Sequence, residues 1–366
     1  MYVPDEDSIF LASFVKKFAK GKILDIGCGS GTQSISALKN SHVTNVIGID
    51  IDEESILYCK KSIVDRRASF HVSDMFSSVR GVFDVIVCNP PYLPQDDGVH
   101  DLALYGGKMG QEFAERVVVE GGDVLSTSGK ILILTSSLSD EKSFLDSCKK
   151  NLYDAKILGS KKLGFESLNA WVVSKNSLRK ILESKGICGL RFFAKGKRGY
   201  VLTGVYQKKK VAVKVKNPES MAVGSVKNES EMLKRVNKHD IGPFFVCSGK
   251  DFVVYEFVDG VFLRDAIDDI RENYVGDNER DRLNILTNQL LHQCSILDEM
   301  GVEKGEMSRP LKNAIVTRDG KVVLIDFERA KMSKNPKNTR QALQFLVRIG
   351  LMTRETAIER GKELKQ

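Results

Sequence analysis

No apolar run in these 366 residues approaches the roughly eighteen needed to cross a bilayer as a helix, so a membrane-spanning segment is not expected. The seven cysteines form no C-x-x-C pair and no even framework, which argues against a disulfide scaffold and for free thiols. The opening octapeptide MYVPDEDS is acidic and lacks the layout of a signal peptide. Together these features predict a cytoplasmic protein. There is also no internal repeat and no low-complexity tract.

What is present is enough chain for more than one core, and two domains are the default at this length. Charge divides them. Lys and Arg against Asp and Glu give −3 over residues 1–175 and +11 over the remainder, the imbalance expected of two domains with different partners. A boundary near Ser174 to Ser184, after the strand-like Ala170-Trp171-Val172-Val173, predicts domains at 1–175 and 180–366.

The most informative residues are Asn89-Pro90-Pro91-Tyr92. They follow Val85-Ile86-Val87-Cys88, an apolar run that reads as a buried parallel strand. Two prolines stop the strand and force a turn. An amide, a carbonyl and an aromatic face are thereby placed at the carboxyl end of a strand, where ligands bind in open α/β sheets. The amide oxygen of Asn89 and the Pro90 carbonyl can hold both hydrogens of a planar –NH2 group, with Tyr92 stacked on its plane; a plain proline turn is the bland alternative. Upstream, Ile23 to Ile26 reads as a strand that enters Gly27-Cys28-Gly29-Ser30-Gly31, and Thr32 to Leu38 has helical character. Glycines there let the backbone approach a ligand, and the helix start offers free N–H groups. Val46 to Asp50 supplies a second strand ending in an acid at a distance suited to a ribose, although Asp50 could instead cap a helix before Glu53 and Glu54. A third strand ends at Asp74 and Met75, and Asp74 suits an adenine amino group. Cys28 and Cys88 read as small packing residues rather than nucleophiles.

In this order DIGCGSG (Asp25 to Gly31), GIDID (Gly48 to Asp52), SDMF (Ser73 to Phe76) and NPPY (Asn89 to Tyr92) resemble the motifs of class I S-adenosylmethionine-dependent methyltransferases. The NPPY form is similar to HemK-type glutamine methyltransferases and to amino-methylating DNA enzymes. Tyr2-Val3-Pro4-Asp5-Glu6-Asp7-Ser8, the segment Leu104 to Glu112 with its GG-x-x-G, and Phe165-Glu166-Ser167-Leu168 resemble the archaeal and eukaryotic branch of the HemK-type group. The likeness covers about the first 175 residues and implies a Rossmann-like α/β domain. It implies S-adenosylmethionine held by Asp7, Asp25, Gly27, Gly29, Asp50, Asp74 and Met75, with Asn89, Pro90 and Tyr92 catalytic. It further implies a substrate, the glutamine of a release factor's GGQ loop, and a small zinc-binding activator that covers an apolar edge of the sheet.

In the second half, Lys195 to Gly204 contains a glycine-bearing loop and precedes Val211-Ala212-Val213-Lys214-Val215. A glycine hairpin followed by a lysine on an apolar strand can cover nucleotide phosphates and pin them. Lys208-Lys209-Lys210 reads as an exposed hairpin tip, with a nucleic-acid contact as the alternative. A helix beginning near Asn228 would bring Glu229 to Lys214. Asn313 precedes the strand Ala314-Ile315-Val316, and Asp326 follows the strand Val322 to Ile325; the two can hold Mg2+ between them. VAVK, NESEML, YEFVDG, Lys312-Asn313 and IDFE resemble the archaeal protein-kinase-like group related to RIO-type kinases, which implies an α+β bilobal kinase-like domain binding ATP and Mg2+. The pattern departs in places. Lys304-Gly305-Glu306 stands where H-R-D is expected, Glu306 lies seven residues before Asn313 rather than five, and Arg198 replaces a loop glycine. Glu306 is the candidate base. An adenine-N6 methyltransferase that uses the basic half on nucleic acid, and a regulatory pseudokinase as the second domain, are the competing readings.

Overall fold

The computed structural model describes residues 6–95, 105–196, 199–216 and 225–364. Tyr2 to Asp5, Leu104, Lys197 and Arg198 of the motifs above lie outside them. Among the described residues no helix is long and apolar enough to cross a membrane.

The chain divides into two compact units at Arg191/Phe192. In the first, α1 (Glu6–Phe18), β1 (Gly21–Ile26), α2 (Thr32–Leu38), β2 (Val43–Asp50), α3 (Glu53–Ser62), β3 (Ala68–Val72) and β4 (Phe83–Cys88) alternate as in a doubly wound fold. They are followed by α4 (Glu112–Gly121), β5 (Leu125–Ser136), α5 (Glu141–Lys150), β6 (Tyr153–Leu163), β7 (Glu166–Lys175) and α6 (Ser177–Ser184). One seven-stranded sheet runs β3-β2-β1-β4-β5-β7-β6, parallel from β3 to β5 and antiparallel in its last two pairings. Its strands bury both faces because successive residues feed opposite layers. Leu24, Ile26, Ile86, Cys88, Ile131 and Ile133 enter one core with α4 and α5. Ile23, Val85, Val87, Leu132 and Leu134 enter the other, with Leu11 and Val15 of α1. The order reverses between β1 and β4, so the carboxyl ends of those strands flank the crevice of a Rossmann-like sheet.

Helix α6, which the composition places at the boundary, packs with this first unit. Arg179 is buried there, donating to Glu183 and to the Asn151 carbonyl, with its guanidinium over the Tyr153 ring.

The second unit has a five-stranded sheet ordered β11-β12-β10-β9-β8. Its strands are β8 (Cys188–Lys195), β9 (Gly199–Tyr206), β10 (Lys209–Lys216), β11 (Phe245–Ser248) and β12 (Phe252–Glu256), with α7 (Ser225–Val236) preceding β11. Gln207 and Lys208 take positive φ, 48° and 67°, and form a two-residue turn between β9 and β10, so the exposed lysine-rich stretch lies at a hairpin tip with Lys209 and Lys210 already paired in β10. A mainly helical part follows: β13 (Gly260–Phe262), α8 (Leu263–Asn273), α9 (Gly276–Glu299), β14 (Val302–Glu303), β15 (Ala314–Thr317), β16 (Val322–Leu324), β17 (Lys331–Met332), α10 (Asn338–Arg348) and α11 (Arg354–Glu363). Leu233 and Val236 of α7 share one core with Leu290 and Leu297 of α9, Phe327 and Phe345.

Candidate active site

At the end of β1 the chain makes three left-handed turns in five residues, with φ of 64°, 50° and 79° at Gly27, Gly29 and Gly31. Glycine suits these left-handed conformations, and at Gly31 a Cβ would in addition push against the end of the Ile63 side chain. A Cβ on Gly27 would instead project into open space, so the turn presents bare backbone along a cradle. Asp50, at the end of β2, accepts from the Gly29 amide at 2.8 Å and thereby fixes the turn. It does not cap α3. That role belongs to Asp52, which accepts from the Glu54 and Ser55 amides. Asp74 is exposed just past β3, while Met75 is buried with φ 47° and its carbonyl accepts from Ser73 Oγ.

Asp25 lies beneath the turn, only 1% exposed. Its Oδ2 accepts from Ser34 Oγ at 2.6 Å, and its Oδ1 is buried without a hydrogen-bond partner. Burial raises its pKa to about 6, partly opposed by the Ser34 hydrogen bonds. Cys88 is wholly buried and burial pushes its thiol well above the ordinary range, which leaves it a packing residue.

Asn89 follows β4 directly, next to that crevice. Its Nδ2 donates to Asp7 Oδ2 at 2.9 Å and to Ser8 Oγ at 3.2 Å, while Oδ1 is buried with no hydrogen-bond partner. Asp7, grouped with the cofactor residues on sequence, therefore contacts the amide of the NPPY turn. This contact joins residues 82 apart in sequence, and no local signal announces it. Tyr92 is half-buried. The GG-x-x-G segment braces the turn: Gly106 N donates to the Leu93 carbonyl at 3.0 Å, and Gln95 N donates to the Gly107 carbonyl at 2.9 Å. Any Cβ on Gly106 would strike the Pro91 carbonyl, and one on Gly110 would strike the Tyr92 carbonyl. These glycines permit the close approach of two backbones.

The second unit gathers a charged cluster. Lys214 Nζ lies 2.8 Å from Glu229, 2.9 Å from Asp326 and 3.1 Å from Glu328. Burial opposes the lysine's charge, but Glu229 and Asp326 outweigh it and hold the ammonium well above the ordinary lysine value. Burial pushes the Glu229 carboxyl up, opposed by Lys214. One oxygen of each of Glu229, Asp326 and Glu328 lies within 4.8 Å of the others, a set that could hold a metal ion, and Lys214 supplies the positive charge among them. Asn313 and Asp326 come from neighbouring chain segments, with Ile325 N donating to the Asn313 carbonyl. Their side chains face different partners: Asn313 donates to Glu306 at 2.8 Å and Asp326 pairs with Lys214. Glu306, with φ 59°, is also bound by Arg329 at 2.5 Å. Lys304, which the sequence presents only as a departure from H-R-D, is 1% exposed and donates to the Asp326 carbonyl at 3.3 Å; burial lowers its pKa to about 8.

A crevice at the switch point, a cradle of bare backbone with an acid at the end of β2, and an amide-bearing proline turn after β4 define a class I methyltransferase domain. The methyltransferase small domain model matches residues 3–157. A Methanocaldococcus jannaschii protein, named provisionally as a protein N5-glutamine methyltransferase, is 35% identical over 181 residues, covering 47% of this chain and 91% of that protein. Through its first half the chain belongs to the protein N5-glutamine methyltransferase family. The release factor glutamine methyltransferase of Streptococcus pneumoniae is 29% identical over 123 residues, covering 30% of this chain and 44% of that protein. The chain thus spans less than half the length of that bacterial relative. Among solved structures, the E. cuniculi Mtq2-Trm112 complex, described as responsible for methylation of the eRF1 termination factor, aligns at 24% identity and TM-score 0.40, over 48% of this chain and 98% of that one. Residues 158–366 lie outside the family model.

Proposed function

We propose that the first unit transfers a methyl group to the side-chain amide nitrogen of a protein glutamine, in the GGQ loop of a translation release factor. The observation that carries this reading is Asn89: both donors of its amide are engaged inside the protein, and its buried oxygen is an acceptor without a partner. A substrate –NH2 supplies the donor that such an acceptor lacks. The names of the bacterial relatives support glutamine of a release factor as the substrate.

S-adenosylmethionine, when bound, supplies an electrophilic methyl on a sulfonium. The fit rests on this chain's cradle: a turn of positive-φ glycines in which Gly27 borders open space, Asp50 at the end of β2 and exposed Asp74 just past β3. An amide nitrogen is a poor nucleophile because its lone pair is delocalised into the carbonyl. Asn89 Oδ1 and the Pro90 carbonyl would accept its two hydrogens, hold the nitrogen in line and let it pyramidalise, while Tyr92 covers the amide plane. Positioning of this kind can supply about 7–11 kcal/mol. No strong base is required if the proton leaves after transfer. A small zinc-binding activator would cover the edge of the sheet at β3, where Val72 is exposed, together with Ile51 and Leu57 nearby in the chain.

For the second unit we propose an ATP–Mg2+ site of protein-kinase-like type. Its support is the buried Lys214–Glu229 pair with Asp326 beside it. Lys214 would meet the phosphates and Asp326 with Asn313 the metal. Glu306 would serve as base, and Asn313 as metal ligand, only after Glu306 is released from Arg329 and from the Asn313 amide.

A radiolabelled-methyl assay should compare release factor, bulk protein and nucleic acid as acceptors, with and without a zinc-binding partner. Asn89→Ala should keep cofactor binding and lower transfer to the release factor by orders of magnitude. Label transferred only to nucleic acid would replace this reading with the adenine one.

A further inference from the structure

The first turn of α1 is buried where helix starts are usually solvated: Asp7 is 8% exposed and Ser8 3%. Both side chains accept from Asn89. A primary amide offers two donors on nitrogen and an acceptor on oxygen, and the two ends differ little in shape. What decides which end faces a ligand is the chemistry of the wall behind it. With Nδ2 inward, both hydrogens reach acceptors, Asp7 Oδ2 at 2.9 Å and Ser8 Oγ at 3.2 Å. With the amide reversed, its carbonyl oxygen would stand against the Asp7 carboxylate, two acceptors with no proton between them. The wall permits one orientation.

We infer that Asp7 and Ser8 are positioning residues that lock the Asn89 amide oxygen toward the substrate, making the site selective for a donor –NH2 group. Gln33 of α2 extends the lock: its Nε2 donates to the Ser8 carbonyl at 2.9 Å, tying α1 to the helix that follows the glycine-rich turn. The segment that follows the cofactor turn and the strand end carrying Asn89 thus both bond to Ser8. A group that presents only an acceptor, such as a carboxylate, finds no donor on Asn89, because both are spent on α1. Asp7 acts through Asn89 rather than on the cofactor. The inference rests on the reading that Asn89 accepts from the substrate amide.

The test is steady-state methyl transfer by the full-length protein to a GGQ-bearing release factor, with calorimetric binding of S-adenosylmethionine measured on the same samples. Asp7→Leu should lower kcat about tenfold or more, the loss expected for a charge-assisted hydrogen bond, with cofactor affinity within twofold of wild type. Asp7→Asn, which keeps an acceptor facing Nδ2, should recover most of that kcat. Ser8→Ala should cost a few-fold in kcat and serves if Asp7→Leu does not fold. A drop in cofactor affinity with kcat unchanged at saturation would return Asp7 to the cofactor site and overturn the inference; so would an unchanged kcat in both Asp7→Leu and Ser8→Ala. Asn89→Ala run alongside separates the two claims. Wild-type transfer by that variant would mean that the glutamine reading itself fails, whereas its inactivity beside fully active Asp7 and Ser8 variants would reject only the lock.

Discussion

Asp25 shows how a single buried carboxylate is held under tension with the fold. With 1% exposure and one oxygen unsatisfied, it has its pKa raised by burial to about 6, against an ordinary value of 3.8. The folded protein binds the proton more tightly than the unfolded chain. Its stabilising contribution is therefore complete below about pH 4 and is lost as pH rises through about 6. At neutral pH the charged form is a cost, of order 3 kcal/mol by linkage for a shift of this size. Asp25→Asn should raise the melting temperature of the first unit at pH 7 and flatten its dependence on pH between 4 and 6. Asp25 is also one of the residues proposed to hold S-adenosylmethionine. The same variant should accordingly bind S-adenosylmethionine more weakly. A melting curve that keeps its wild-type pH dependence would show that Asp25 is not the group responsible.

Among the elements, the turn after β4 depends on a second segment for its shape. Gly110, with φ 86°, cannot take a side chain without striking the Tyr92 carbonyl and crowding Pro94. Gly110→Ala should displace the NPPY backbone and lower kcat at least tenfold, since small misplacements of positioning groups are costly. Cofactor binding should persist, because the cradle at Gly27 and Gly29 is untouched. Gly164→Ala is the control. That glycine also has positive φ, 57°, but its Cβ would meet nothing within 4 Å, so only the modest backbone strain should appear. Equal effects of the two substitutions on kcat would refute the bracing role.

These elements also show which features can be read from sequence. The glycine turn, the acid ending β2 and the proline stop after β4 are local, each written in a few adjacent residues whose backbone preferences leave little choice. The contact of Asp7 with Asn89 is a tertiary event across 82 residues, and the α1 start gives it no periodic or capping signature. Asp50 reads from sequence as either a ribose acid or a cap before Glu53 and Glu54; the structure gives the cap to Asp52 and turns Asp50 onto the Gly29 amide, a contact made by the tertiary turn and not by the local sequence. In the second unit the pairing of Lys214 with Glu229 was anticipated from the VAVK and NESEML stretches that resemble the kinase-like group. The grip of Arg329 on Glu306 was not, since it depends on the loop geometry around a positive-φ residue.

At the scale of the whole molecule, two units with separate cores predict two separable ligand responses. A ligand that binds only the native state stabilises it by about 2.7 kcal/mol at a hundredfold excess over its Kd. S-adenosylmethionine should raise the transition of the first unit, and Mg–ATP that of the second. Lys214→Ala removes an ammonium that pairs with Glu229, Asp326 and Glu328, so it should weaken the unit as well as its ligand response, because buried Glu229 loses its ion-pair partner. Asp326→Asn is the cleaner probe, as it keeps the shape and removes one charge. It should abolish the Mg–ATP shift and leave the S-adenosylmethionine shift at its wild-type size. Glu306→Gln should retain the Mg–ATP shift and lose any autophosphorylation, because its carboxylate is the candidate base and Lys214 is unaffected. Arg329→Ala removes the ion pair from Glu306 and leaves the Asn313 hydrogen bond, and should raise phosphate transfer if that pair restrains the base. Wild-type protein that shows no Mg–ATP shift and no phosphate transfer would leave the Lys214 cluster a structural ion network, and the methyltransferase reading of the first unit would stand without it.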